Sequence, residues 1–189
     1  MENTTKMLGG WGYIGMIFFG IFGSFLGPVA ILALAGAIIV LVAFIRAGGE
    51  LGRPEVKTNI IIALVLYIVA AVLFIFLVGA GVLTYALHHD SAAAAAGLGA
   101  GVIVGGIIAW ILAIVAAWFW YKASVPLTEE TGIGLYKVGG LLIFIGAITI
   151  VVFGLGAIVS LVGEILQTVA FFTTPEKRLQ AIDTPTSAL

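Results

Sequence analysis

The chain has no cysteine among its 189 residues. That excludes disulfides, thiolate metal sites, iron–sulfur clusters and cysteine nucleophiles. Charge is nearly as scarce. Lys, Arg, Asp and Glu together make up 9% of the residues, where a soluble domain uses about 25% to cover its surface. The net charge is −1, and without a clustered basic face the chain is not built to bind nucleic acid. No serine nucleophile with a base, no paired carboxylates and no metal-ligand set can be assembled. Gly132-Ile133-Gly134 lacks the strand and helix that a dinucleotide fingerprint requires. The expectation is a protein that is not an enzyme and has no catalytic, cofactor or metal site.

What the chain has instead is apolar length. Apolar residues fill 62% of it, and so short a chain cannot hide that much surface inside a water-facing globule. Its solvent must be lipid. The first apolar block, Leu8 to Arg46, is nearly twice the ~20 residues of one span. Gly27-Pro28 near its middle marks a tight turn, since Gly suits a helix end and Pro a helix start. The first run is read as a retained span rather than a signal peptide, because no small-residue cleavage site follows it. Ala47 to Thr58 reads as a polar loop. His88-His89-Asp90-Ser91 breaks the next long run, with Asp90 or Ser91 as a helix cap. Lys122 to Lys137 reads as a second polar loop, and a final hairpin turns near Phe153 to Gly156. The expected fold is all-α: one polytopic transmembrane bundle of about six spans, 8–26, 28–46, 56–87, 91–121, 138–154 and 156–172. Short N- and C-terminal hairpins flank two longer central helices, and residues 173–189 form a tail.

Orientation follows from Lys and Arg in short loops, which stay cytoplasmic. All eight basic residues (Lys6, Arg46, Arg53, Lys57, Lys122, Lys137, Lys177 and Arg178) fall on the side that receives both termini. The opposite side has only His88, His89 and Asp90. The expectation is a multi-pass protein of the cell membrane with both termini and the tail cytoplasmic. Trp11, Tyr13, Trp118, Trp120, Tyr121 and Tyr136 are placed as aromatic anchors at that interface, and Tyr85 at the outer one.

Shifting the chain by 127 positions superposes the two short hairpins. Gly27, Ala30, Ile31, Leu34, Gly36, Ile38 and Val42-Ala43-Phe44 meet Gly154, Ala157, Ile158, Leu161, Gly163, Ile165 and Val169-Ala170-Phe171. Both units start on the same side, so an axis along the membrane normal would relate them. Glycines supply the close approach on which helix association in lipid depends. Gly23 and Gly27 on span one, and Gly97, Gly101 and Gly105 at intervals of four on span four, are the candidate packing faces. Packing within the chain is their first expected use, and a homo-oligomer or larger membrane complex the second.

Glu164 is the one ionisable side chain deep inside an apolar span. It lies roughly 12 Å from the cytoplasmic end of its helix, where an acidic group costs about 2.5 to 3.5 kcal/mol and should face protein or water. Ser160, Glu164, Gln167 and Thr168 share its helix face. The matching positions of the first hairpin are Ala33, Ala37, Val40 and Leu41, so the polar stripe belongs to one half only. One reading is structural, a protonated Glu164 bonded to a neighbouring helix through Thr149 or a carbonyl. A second is a proton, cation or polar-substrate site, and a third a contact to a partner subunit.

Thr131-Gly132-Ile133-Gly134-Leu135-Tyr136-Lys137, followed by Gly139-Gly140-Leu141 and Ile145-Gly146-Ala147, resembles a family of small archaeal membrane proteins catalogued as a domain of unknown function (number 996). The terminal Ala170-Phe171-Phe172 matches that family as well. The resemblance spans nearly the whole chain in layout, implies no activity, and does not include Glu164. The functional expectation is a scaffold or accessory subunit of a membrane assembly. The alternative is a small channel or transporter using the stripe around Glu164.

Overall fold

Helices apolar on every side bury their backbone hydrogen bonds internally, the condition for crossing lipid. Six such helices build the computed structural model, which describes residues 1–26, 30–87, 92–151 and 154–175, with side-chain surroundings left out at 22–26, 30–31 and 92–95. They are α1 (Asn3–Leu26), α2 (Ala30–Glu50), α3 (Pro54–Leu87), α4 (Ala92–Thr131), α5 (Leu135–Thr149) and α6 (Leu155–Thr173). Among the described residues there is no strand. Among the described residues four stretches are long and apolar enough to cross a membrane: Leu32–Glu50, Pro54–Leu87, Ala96–Thr131 and Leu155–Thr173. The fold is therefore an all-α transmembrane bundle, with the short hairpins α1–α2 and α5–α6 flanking the long pair α3–α4. Gly27-Pro28, His88-His89-Asp90-Ser91, Phe153 and most of the tail lie outside the described residues.

Each helix packs on its neighbours in sequence, and α6 closes the ring against α1. Met1 and Pro175 lie at one end, the base, where the α-ammonium of Met1 donates to the carbonyl of Pro175 at 3.3 Å. The opposite end is the tip.

The loop expected over 122–137 is mostly helix. α4 runs ten residues past Tyr121, through Pro126, and stops at Thr131. Proline forfeits one backbone hydrogen bond, but this stretch places Ala123, Ser124 and Leu127 at zero exposure against the core. Its hydroxyls also return to the helix, with Ser124 donating to the Trp120 carbonyl at 3.0 Å. Packing outweighs the lost bond, and the connection shrinks to Gly132–Gly134. Gly132 takes a left-handed φ of 73°, which a side chain rarely adopts.

The internal repeat is present in three dimensions. In the first hairpin, a Cβ on Gly36 would stand 2.5 Å from the Met16 amide nitrogen and 2.9 Å from the Gly12 carbonyl oxygen. In the last, a Cβ on Gly163 would stand 2.9 Å from the Ile143 nitrogen and 2.6 Å from the Gly139 oxygen. One shift of 127 converts the first set into the second, which carries the repeat back into α1 and α5. The buried faces correspond too: Val40, Ala43, Phe44 and Ala47 against Gln167, Ala170, Phe171 and Thr174. Phe44 and Phe171 meet near the middle of this core, their ring centroids 5.5 Å apart.

α3 and α4 cross at Leu77 and Gly101, a pair separated in sequence by the same interval as Gly12 and Gly36. This hairpin overshoots the others. The Trp110 indole donates to the Ala147 carbonyl at 2.8 Å, close to the end of α5. Beyond Trp110, α4 continues to Ala92, roughly 27 Å at 1.5 Å per residue. The overhang exposes large apolar side chains, Leu83 by 61% and Leu87 by 67%.

Candidate intramembrane site

The four polar residues of α6 share a face in sequence, yet the structure sends them to different places. Gln167 points into the core with zero exposure. Its amide oxygen accepts from the Tyr13 hydroxyl and from the Trp120 indole, the latter at 3.3 Å. Its amide nitrogen donates to Ser124 Oγ at 2.9 Å and to the Tyr136 carbonyl at 3.4 Å. One glutamine thus ties α6 to α1, α4 and α5 with every donor and acceptor engaged, as a buried amide in lipid requires. A second pair extends the cluster. Thr174 donates to the Ala170 carbonyl at 2.7 Å, so the Tyr136 hydroxyl is the donor in its 2.9 Å contact with Thr174 Oγ1.

Thr168 satisfies itself by donating to the Glu164 carbonyl at 2.8 Å. Thr149 likewise donates to the Ile145 carbonyl at 2.9 Å, so it is not the partner of Glu164.

Glu164 and Ser160 face elsewhere. Both line a groove of about 490 Å³ between α1 and α6, floored by Ala33 of α2 and ended by Ile150 beyond α5. Its remaining wall is Met16, Ile17, Gly20 and Ile21 from α1 with Ala157, Ile158 and Leu161 from α6. Ala33 is the repeat counterpart of Ser160, so the two halves contribute equivalent positions to one groove. Its small methyl keeps the space open. No described residue donates a hydrogen bond to the Glu164 carboxyl, although Tyr13 and Tyr67 lie within electrostatic reach of it.

The glycines divide in a similar way. Gly101 and Gly105 are used inside the hairpin, where a Cβ would stand 2.9 Å and 3.2 Å from Leu77 atoms. A Cβ on Gly97 would meet no described residue within 4 Å. Gly23 lies on α1 with its surroundings outside the description, and Gly27 lies outside the described residues.

Three aromatic residues placed at the interface from sequence belong to the core. Tyr13 and Tyr136 have zero exposure, and Trp120 packs on Phe44 at 5.4 Å. Trp11, 59% exposed, and Trp118 remain at the surface. The available signal was Gln167 itself, since an amide in an apolar span needs donors and acceptors from other helices and these are few.

At the base, Arg53 pairs with Glu55 at 3.3 Å, Glu129 at 3.5 Å and Glu130 at 2.5 Å, clamping the α2–α3 loop to the end of α4. The Glu130 hydrogen bond raises the pKa of the Arg53 guanidinium above its ordinary value. Arg46 pairs with Glu2 at 3.1 Å. Among the described residues no three His, Asp or Glu side chains gather as a metal site.

A family described as "Protein of unknown function (DUF996)" matches residues 32–165. The chain is also similar to "Uncharacterized protein MJ1644" of Methanocaldococcus jannaschii, at 31% identity over 149 residues, covering 77% of this chain and 81% of that protein. No solved structure matches.

Proposed function

Of this chain, which belongs to the DUF996 family of unknown function, we propose that it serves as a structural or accessory subunit of a membrane assembly. The proposed role is non-enzymatic. The proposed setting is the cell membrane, with the base and both termini cytoplasmic because every Lys and Arg lies in the segments assigned to that side.

The observation that carries this reading is the overhang of α3–α4. A lipid core is about 30 Å thick, and α3 alone, with 34 residues, is roughly 51 Å long. Its distal third and the facing part of α4 expose apolar side chains beyond the level at which α5 ends. Outside lipid such a surface needs a protein partner. The glycine faces give weaker support, since Gly101 and Gly105 are already occupied by Leu77. The channel alternative keeps only Glu164 and Ser160, because Gln167 and Thr168 are engaged within the fold.

The test is the native mass of the full chain extracted gently from its own membranes, beside the double variant Leu83→Lys, Leu87→Lys. The expected result is a defined larger complex for the natural chain, reduced to a bare chain of unchanged thermal stability in the variant. A bare chain from the outset would overturn the reading.

A further inference from the structure

The groove between α1 and α6 has the size of a drug-sized ligand site, which falls at about 300–1,000 Å³. It runs from Ile150 at its tip end down to Glu164. Its walls are aliphatic almost throughout, and of its two polar residues, a turn apart on α6, Ser160 turns its Oγ toward the Gly146 backbone of α5, which leaves Glu164 as the polar group of the groove. Among the described residues the lining holds no Lys or Arg. The carboxyl receives no hydrogen bond from the described residues, and no described Lys or Arg of the lining pairs with it. We propose that this groove binds a lipophilic organic cation, its charge set against Glu164 and its apolar body along Met16, Ile17, Ile21, Ile158 and Leu161.

Charge and shape select the ligand class together. A neutral apolar molecule filling the groove would strip water from the carboxylate and return nothing, and an anion would be repelled. A bare metal ion needs several oxygen ligands around it, and among the described lining residues the groove offers one carboxylate. An organic cation carries its own apolar surface, matches the wall, and meets an opposite charge where the low dielectric strengthens the attraction. The asymmetry of the repeat fits a ligand of one charge. Position 37 in the first hairpin is alanine where the second has Glu164, so the groove has a single acidic end.

The test uses full-length protein in nanodiscs of zwitterionic lipid, with tetraphenylphosphonium as probe and tetraphenylborate as its isostere of opposite charge. Saturable binding of one phosphonium per chain above protein-free discs is expected, with none for the borate. Glu164→Gln should weaken binding at least tenfold. Gly20→Leu keeps the carboxylate but fills the groove, and a Cβ at Gly20 meets no described residue within 4 Å, so this variant should fold and also lose binding. Thermal unfolding checks that both variants are intact. Absence of saturable phosphonium binding, equal binding of the borate, or full affinity in either folded variant would overturn the proposal.

Discussion

Tyr13 and Gln167, 154 residues apart in sequence, share a buried hydrogen bond in which the phenol donates to the amide oxygen. Through it the first helix is held to the last. The same amide reaches Ser124 and the Tyr136 carbonyl, so one side chain closes the helical ring at the base. In the first hairpin the equivalent position is Val40, equally buried. At this buried position one half of the repeat is therefore stitched by hydrogen bonds and the other is packed by an apolar side chain.

Replacing Gln167 with valine, the residue of its repeat counterpart, should destabilise the bundle by about 2 kcal/mol. The Tyr13 and Trp120 donors and the Ser124 hydroxyl would be left without their partner, and each buried unmet polar group costs about 1–3 kcal/mol before relaxation. Bonds between membrane helices average nearer 0.6 kcal/mol, which sets the lower end. Thermal unfolding in mild detergent reads the change. An unaltered midpoint would show that packing alone holds this end together.

Glycines at helix crossings should be far less tolerant than the glycine with open space beside it. Gly163→Ala drives a methyl to 2.6 Å from the Gly139 carbonyl oxygen, and overpacking of this kind costs about 1–3 kcal/mol. Gly97→Ala meets no described residue within 4 Å and gains up to about 1 kcal/mol of helix propensity. Side-by-side unfolding midpoints should fall for the first and hold or rise for the second. Equal effects would refute the crossing geometry.

The natural absence of cysteine makes single-cysteine labelling clean. With the base cytoplasmic, Lys57→Cys in intact cells should react with a membrane-impermeant maleimide only after permeabilisation. Leu87→Cys at the tip should react from outside, more strongly once any partner has been removed. The reverse pattern would invert the proposed topology.

Arg53→Ala should lower the unfolding midpoint slightly at low ionic strength, and the difference should close near 1 M salt, where the Debye length falls to about 3 Å. Alkali should not mimic the substitution. A guanidinium whose pKa is raised keeps its contribution for as long as its carboxylate partners stay ionised, and on the alkaline side loses it only as pH climbs through the raised value, beyond ordinary buffers. A midpoint difference that survives high salt would mean that Arg53 acts through its packed stem instead.

Much was legible because it depends on local chemistry. The sparse charge and long apolar runs define lipid as the solvent and helix as the only element, since no other element satisfies its own backbone there. The same sequence reading finds the hairpins, the repeat at Gly36 and Gly163, and the isolation of Glu164. It misplaces the end of α4, because Pro126 and the polar residues after Tyr121 look like a loop until Ala123, Ser124 and Leu127 are seen packed against the core. Which way each helix faces was decided only in three dimensions. A helix apolar on all sides has no stripe to orient it, so Tyr13, Trp120 and Tyr136 read as interface anchors although the core claims them. Gln167 and Glu164 lie within one turn of α6. The partners that enclose the first and leave the second in an open groove come from helices more than a hundred residues away in sequence as well as from near neighbours, and only their packing separates a structural amide from a carboxyl free to meet a ligand.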